Sequence, residues 1–290
     1  MKPPSFDYAA PKSVDEAVSL LKQYEGEAKI LAGGQSLMPL LNMRLARPGL
    51  LVDVARVDGL DYIREVDGCL AIGAMTRQRS VEHSELVQRR FPLLHTAILH
   101  IAHPQNRNQG TVGGSLAHAD PAAELPAIAL ALDAELRAVG PGGERRIKAA
   151  DFFVTYLTTA LEPTEVLTEV RFPELPPRTG WSFIELARRN GDFALTGVVA
   201  RLATDGGGRC SAAQIVLFGV GATPVRARRT EQLLVGEQCA ASLFERAGQT
   251  ASEEIEEPLS DVHASAEYRR DLARVLTRRA LVEAATRAAG

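Results

Sequence analysis

The sequence has little of what builds a metal or disulfide framework. Among its 290 residues are three cysteines, Cys69, Cys210 and Cys239. They are far apart, form no C-x-x-C and are odd in number. This argues against a disulfide scaffold and against a self-contained zinc or iron–sulfur site. No apolar run approaches the roughly 18 residues of a helical membrane span. The N-terminus, MKPPSFDYAAPKS, lacks the apolar stretch of a secretory signal, so the sequence predicts a cytoplasmic protein. Lys and Arg number 33 against 36 Asp and Glu, a net charge of −3. With no basic surplus to neutralise phosphates, duplex nucleic acid is not an expected partner. The P-loop pattern G-x-x-x-x-G-K-[ST] is absent. Gly219-Val220-Gly221 imitates the start of a dinucleotide fingerprint, but Pro224 occupies its third glycine position, so it reads as a structural turn.

What is present suggests about two domains, at ~150 residues each. Ser13 and Glu16 have capping-box spacing, and Val14, Ala17, Val18 and Leu21 form a helical stripe. Apolar strands at Lys29–Leu31 and Leu50–Val54 flank a short helix from Pro39 through Leu45, so residues 1–55 read as a small β-α-β layer. Asp67-Gly68 predicts a tight hairpin turn. Helices are expected near Arg79–Arg90, Pro92–Ala102 and from Asp120-Pro121 to about Leu132. The polar segment His103–Gly110 reads as a loop. Strands are expected at 135–139, 144–148 and 166–172, then at 181–187, 198–203 and 214–219. An arginine-rich helix closes the chain over Ser265–Ala289, with a solvated face expected for Arg269, Arg270, Arg274, Arg278 and Arg279. Pro173, Pro176 and Pro177 mark the domain boundary.

Two glycine pairs carry the chemical signal: Ala32-Gly33-Gly34-Gln35-Ser36 and Thr111-Val112-Gly113-Gly114-Ser115. Glycine lets backbone N–H groups point into one concavity and lets a ligand approach the main chain. Ser36, Thr111 and Ser115 add hydroxyls. Charge-assisted bonds contribute roughly 1.5–3 kcal/mol each, so four or five such donors suffice for a pyrophosphate. A pair of tight turns is the alternative reading. His95, His100 and His103 lack a third ligand of suitable spacing, and no metal is expected. No nucleophile–base constellation is visible.

The chain resembles the flavin-binding medium subunits of the molybdenum hydroxylases, the group that includes the carbon monoxide dehydrogenase medium chain and the flavin domain of xanthine dehydrogenase. The matching stretches are AGGQSLMPLLNMRLARP (32–48), IGAMTRQRSVEHS (72–84), QGTVGGSLAHADPAAELPA (109–127), DFF (151–153), EVLTEVRFP (165–173), RRNGDFAL (188–195) and SAEYRRDLARVLTRRAL (265–281). The resemblance implies an α+β fold: a PCMH-type FAD-binding domain over 1–175, with lobes at about 1–55 and 56–175, then a sheet-plus-helices domain over 178–290. It implies FAD on this chain, with pyrophosphate held by Ala32, Gly33, Gly34, Gln35 and Ser36 and by Thr111, Gly113, Gly114 and Ser115. Lys29 would add charge or line the adenosine side. Glu124 would accept hydrogen bonds from ribityl or ribose hydroxyls, Leu167 would pack near flavin or adenine, and Phe193 would lie near the isoalloxazine ring. Glu185 stands where some relatives have lysine and is given no flavin contact. The implied partners are a large molybdopterin subunit and a small subunit with two-iron two-sulfur clusters, arranged as a dimer of heterotrimers; partners could bring the complex to a membrane. FAD would pass electrons to an external acceptor, and no residue of this chain would be catalytic by itself. Two other readings stand beside this one: a stand-alone PCMH-type flavin oxidase or dehydrogenase, and a non-redox nucleotide-binding scaffold.

Overall fold

The computed structural model describes residues 1–24 and 26–289. Strands Asp7–Ala9, Leu50–Asp53 and Ala28–Leu31 form a parallel sheet with Leu50–Asp53 in the middle. Helix Val14–Gln23 covers it and buries Ala17, Val18 and Leu21. Val18 and Leu21 each contribute about 1.5–3 kcal/mol when fully removed from water. Ser13 caps this helix by accepting from the Glu16 N–H at 3.2 Å. Glu16 reaches one residue further than in the standard capping box, accepting from the Lys12 N–H at 2.7 Å. The strand Asp7–Ala9 has no local pattern; pairing with Leu50–Asp53 alone defines it.

A second lobe is built on a five-stranded antiparallel sheet, in the order Ile63–Val66, Cys69–Gly73, Val166–Pro173, Glu135–Gly140, Gly143–Lys148. The strand that comes last in sequence is central. Asp67 and Gly68 both take positive φ, 52° and 75°, as a tight two-residue turn requires. The stretch read as one helix over 79–90 is two, Gln78–His83 and Glu85–Arg90, because Ser84 is extended and its hydroxyl caps the Val87 N–H. Helix Pro92–His100 follows. The helix expected from Asp120 begins instead at Glu124 and ends at Ala131. The Asp120 carboxylate accepts from the Ala122 N–H at 2.9 Å, forming a local turn that competes with a helical start.

The expected loop at 103–110 is a helix, Pro104–Gln109. Its polar residues are satisfied by distant groups: Arg107 is buried, bonds the Glu82 carboxylate at 2.9 Å and donates to the Ile101 carbonyl at 2.7 Å.

In the C-terminal part an antiparallel sheet, Thr179–Ala187, Ala194–Thr204, Cys210–Phe218 and Val225–Arg226, packs against helices Arg228–Leu234, Ala241–Glu253 and Ala266–Ala289. The last helix lies so close to the sheet that a Cβ on Gly180 would sit 2.5 Å from the Ala288 nitrogen. Arg269 is not on a solvated face. It is 3% exposed and donates to the carbonyls of Leu195 and Gly219 and to Asp261. Gly219, with φ of 71°, in turn donates to the Pro121 carbonyl at 2.8 Å, tying this sheet to the segment that precedes Glu124. Among the described residues no helix is long and apolar enough to cross a membrane.

Candidate dinucleotide site

The two glycine blocks converge. A Cβ on Gly114 would lie 3.4 Å from the Ala32 Cβ and 3.9 Å from the Gly33 nitrogen. A Cβ on Gly33 would lie 2.9 Å from the Gly110 Cα and closer still to the Gln109 carbonyl oxygen. Asn106 adds a side-chain tie, donating to Gln35 Oε1 at 3.2 Å. Helix 104–109 therefore seats the first block against the start of the second.

Their hydrogen-bond states differ. The first block leaves strand Ala28–Leu31, turns at Gly34 with φ of 72°, and enters helix Leu37–Asn42. Among the described residues the N–H groups of Gly33, Gly34, Gln35 and Ser36 donate to no protein acceptor. The second block opens helix Val112–His118, and its donors are committed. Val112 donates to the Thr76 carbonyl at 3.0 Å, Gly113 to the Ala74 carbonyl at 2.9 Å, Gly114 to Thr111 Oγ1 at 3.0 Å and Ser115 to the Thr111 carbonyl at 3.2 Å. The second block's N–H groups are thus bonded within the protein, while those of the first are uncommitted. The Gly113 position is a packing requirement, since a Cβ there would meet Ala74 Cβ at 2.5 Å.

The remaining predicted residues are spread around this junction. Lys29 is exposed on strand Ala28–Leu31. Leu167 is 6% exposed within the core of the second lobe, at a bulge in the central strand. Phe193 is 61% exposed, an unusual state for so large an apolar side chain. It follows Gly191, whose φ of 86° sets the turn and whose Cβ would lie 2.6 Å from His103 Cε1. The GDFA loop therefore rests directly on the entry to helix 104–109.

Glu124 is 5% exposed. Burial first, and the charge of Glu185 second, push its carboxyl up to about 8. Glu185 Oε1 is 3.2 Å from His100 Nδ1, and its Oε2 is buried without a partner. His118 is held below the usual imidazole range by burial. From the sequence Glu185 is set aside, His100 is weighed only as a metal ligand, and Asn106 and Arg77 carry no signal. Arg77 donates to the Gln109 carbonyl beside Gly33. None of these has a local signal; each matters through a partner remote in sequence.

Four uncommitted N–H groups in one turn match in kind the needs of an anionic dinucleotide such as FAD. A Cβ at Gly33 or Gly114 would fill the junction, so the residues present fit this cofactor.

Comparison with known proteins gives the family. Residues 4–175 match the FAD binding domain in molybdopterin dehydrogenase, and residues 181–284 match the CO dehydrogenase flavoprotein C-terminal domain. The chain is 44% identical to the 6-hydroxypseudooxynicotine dehydrogenase complex subunit alpha of Paenarthrobacter nicotinovorans, over 99% of this chain and 97% of that one. It is 39% identical to the carbon monoxide dehydrogenase medium chain of Hydrogenophaga pseudoflava, over 100% of both. A solved carbon monoxide dehydrogenase from the same organism superposes with a TM-score of 0.96 at 40% identity, covering 99% of each chain. Quinoline 2-oxidoreductase from Pseudomonas putida 86 gives 0.93 at 40% identity, with the same coverage.

Proposed function

The chain belongs to the family of FAD-binding subunits of molybdopterin dehydrogenases, and from that premise we propose that it serves as the electron outlet of a cytoplasmic molybdenum hydroxylase complex. Its partners in this reading are a large molybdopterin subunit and a small subunit with two-iron two-sulfur clusters, assembled as a dimer of heterotrimers. FAD would supply the redox chemistry, taking electrons from the partner's clusters and giving them to an external acceptor.

The protein's own task is to bind, orient and shield. The N–H groups of Gly33, Gly34, Gln35 and Ser36 hold the pyrophosphate, with the Ser36, Thr111 and Ser115 hydroxyls beside them. Lys29 lines the adenosine side. Glu124 accepts from ribityl or ribose hydroxyls, Leu167 packs near the ring system, and Phe193 covers its open face. The FAD-binding unit is taken as residues 1–175 and the second domain as 178–290. What supports the reading most is one observation: the first glycine block leaves four adjacent backbone donors without acceptors at the place where the second block touches it.

Purification of the tagged chain from its native host tests this. The expected result is a yellow complex of three chains containing molybdenum and iron. A yellow single chain that is reduced by an organic substrate on its own would replace the reading with a self-sufficient flavoenzyme. A chain that stays colourless after addition of FAD would end it.

A further inference from the structure

The peptide between Gly33 and Gly34 is lightly held. Both residues are glycine, so no Cβ resists its rotation. Among the described residues neither the Gly33 nor the Gly34 N–H has a protein acceptor. The Gly33 carbonyl accepts from Gln35 Nε2 at 3.3 Å. The Gln35 amide is held in turn at its other end, where Oε1 accepts from Asn106 Nδ2 at 3.2 Å. A chain of two side-chain bonds thus runs from helix 104–109 to the first glycine block.

We propose that Asn106 is a positioning residue for the cofactor: through Gln35 it fixes the Gly33–Gly34 peptide with its N–H turned toward the pyrophosphate. This role rests on the FAD reading and belongs to a residue outside both glycine blocks.

In a trans peptide the C=O and N–H point in opposite directions. A donor on the Gly33 carbonyl therefore directs the Gly34 N–H to the opposite side. If this peptide turned over, a carbonyl oxygen would face the phosphates where an N–H should, and an attraction would become a repulsion. Gly34 has a φ of 72°, and glycine reaches positive and negative φ about equally well, so its own backbone does not decide between the two orientations. The side-chain bond to the Gly33 carbonyl does.

Gln35 holds that carbonyl with its Nε2, which leaves its Oε1 in need of a donor from elsewhere. Asn106 Nδ2 is that donor. Without it the Gln35 amide is free to turn, and its oxygen would then face the Gly33 oxygen.

Asn106 is presented by a fixed element. Its N–H donates to the His103 carbonyl at 2.9 Å, and its own carbonyl accepts from the Gly110 N–H at 2.7 Å. The next residue, Arg107, anchors the helix on Glu82 and the Ile101 carbonyl. The same helix starts at His103, on which Gly191 of the GDFA loop rests. One short helix therefore supports both the pyrophosphate turn and the loop that carries Phe193.

FAD titration of the full chain tests this role. Asn106→Leu and Gln35→Met should each weaken FAD binding about five- to tenfold, as expected for one hydrogen-bonded link. The double variant should lose no more than either single one, because both changes break the same link. Asn106→Gln keeps the amide donor and should stay within about threefold of wild type. Urea unfolding of the FAD-free chains should superimpose, since Gln35 is exposed and Asn106 half-buried. At saturating FAD, the phosphorus NMR signals of the pyrophosphate should move in Asn106→Leu while the visible absorption of the flavin ring stays. Unchanged FAD affinity in Asn106→Leu, losses that multiply in the double variant, or an equal loss in Asn106→Gln would overturn the positioning role. So would a loss of unfolding stability in step with the loss of affinity, or unmoved phosphorus signals. Absence of FAD binding by the wild-type chain would overturn the FAD reading itself, and the role of Asn106 with it.

Discussion

A Cβ on Gly114 would lie 3.4 Å from the Ala32 Cβ, so two glycine blocks remote in sequence form one junction. A Cβ on Gly33 would press on Gln109 and Gly110 across that junction, whereas one on Gly114 would crowd its own cap, Thr111 Oγ1, at 2.6 Å. The difference between the blocks is equally direct: the first keeps its N–H groups uncommitted, and the second uses them to fasten helix 112–118 to the strand end at Ala74 and Thr76.

Two glycine variants should therefore fail differently. Gly33→Ala places a Cβ against the Gln109 carbonyl and Gly110. It should weaken FAD binding at least tenfold, about 1.4 kcal/mol, while far-ultraviolet circular dichroism stays native. Gly113→Ala meets Ala74. Both contacts are closer than 3.0 Å and involve backbone, so both variants should lower unfolding stability by about 1–3 kcal/mol through overpacking. An equal loss of FAD affinity in the two variants, measured on the folded chains, would contradict the division of roles.

The buried pair Arg107–Glu82 should be fragile to single changes. Their side chains are 7% and 11% exposed. Arg107→Leu leaves Glu82 with the partly exposed Arg79, 3.3 Å away, as its remaining ion-pair partner among the described residues and should cost up to about 3 kcal/mol, whereas replacing both with leucine should cost far less. The hydrogen bond from Arg107 holds the Glu82 carboxyl below its usual range. Its stabilising contribution is thus present above the unfolded carboxylate range, near pH 4.3, and is lost as pH falls through the lowered folded value. Acid unfolding of Glu82→Gln should lack that component; superimposable acid curves for variant and wild type would refute it.

Glu124 gives the opposite sign. Its folded carboxyl is raised to about 8. The chain is then most stable, with respect to this group, below the unfolded value, and loses stability as pH rises from there through 8. Glu124→Gln should flatten the decline of melting temperature between pH 5 and 8 and should stabilise the FAD-free chain at the upper end by on the order of a few kcal/mol. A wild-type melting temperature that is flat over this range would count against the buried, neutral carboxyl.

Phe193→Ala removes an exposed aromatic face while leaving the glycine junction intact. The flavin reoxidation rate or midpoint potential should change more than the dissociation constant for FAD. Stopped-flow reoxidation identical to wild type would remove Phe193 from the ring environment.

Local sequence determined the elements that need no distant partner. Ser13 caps its own helix, Asp67-Gly68 turns its own hairpin, and the alternation in 166–172 makes a strand wherever it is placed. The two glycine blocks and the GDFA loop were legible for the same reason: their residue types restrict the backbone within a few positions. Tertiary structure decided which of these groups remain available. His103–Gly110 reads as loop because its polarity finds partners outside the segment, among them Glu82, Ile101 and Gln35. Arg269 reads as a surface charge because its carbonyl acceptors, Leu195 and Gly219, lie on other strands and turns. The fate of an N–H group, or of a buried carboxyl such as Glu124, depends on what long-range packing brings within about 3 Å of it. That distance is not a property of any short stretch of chain.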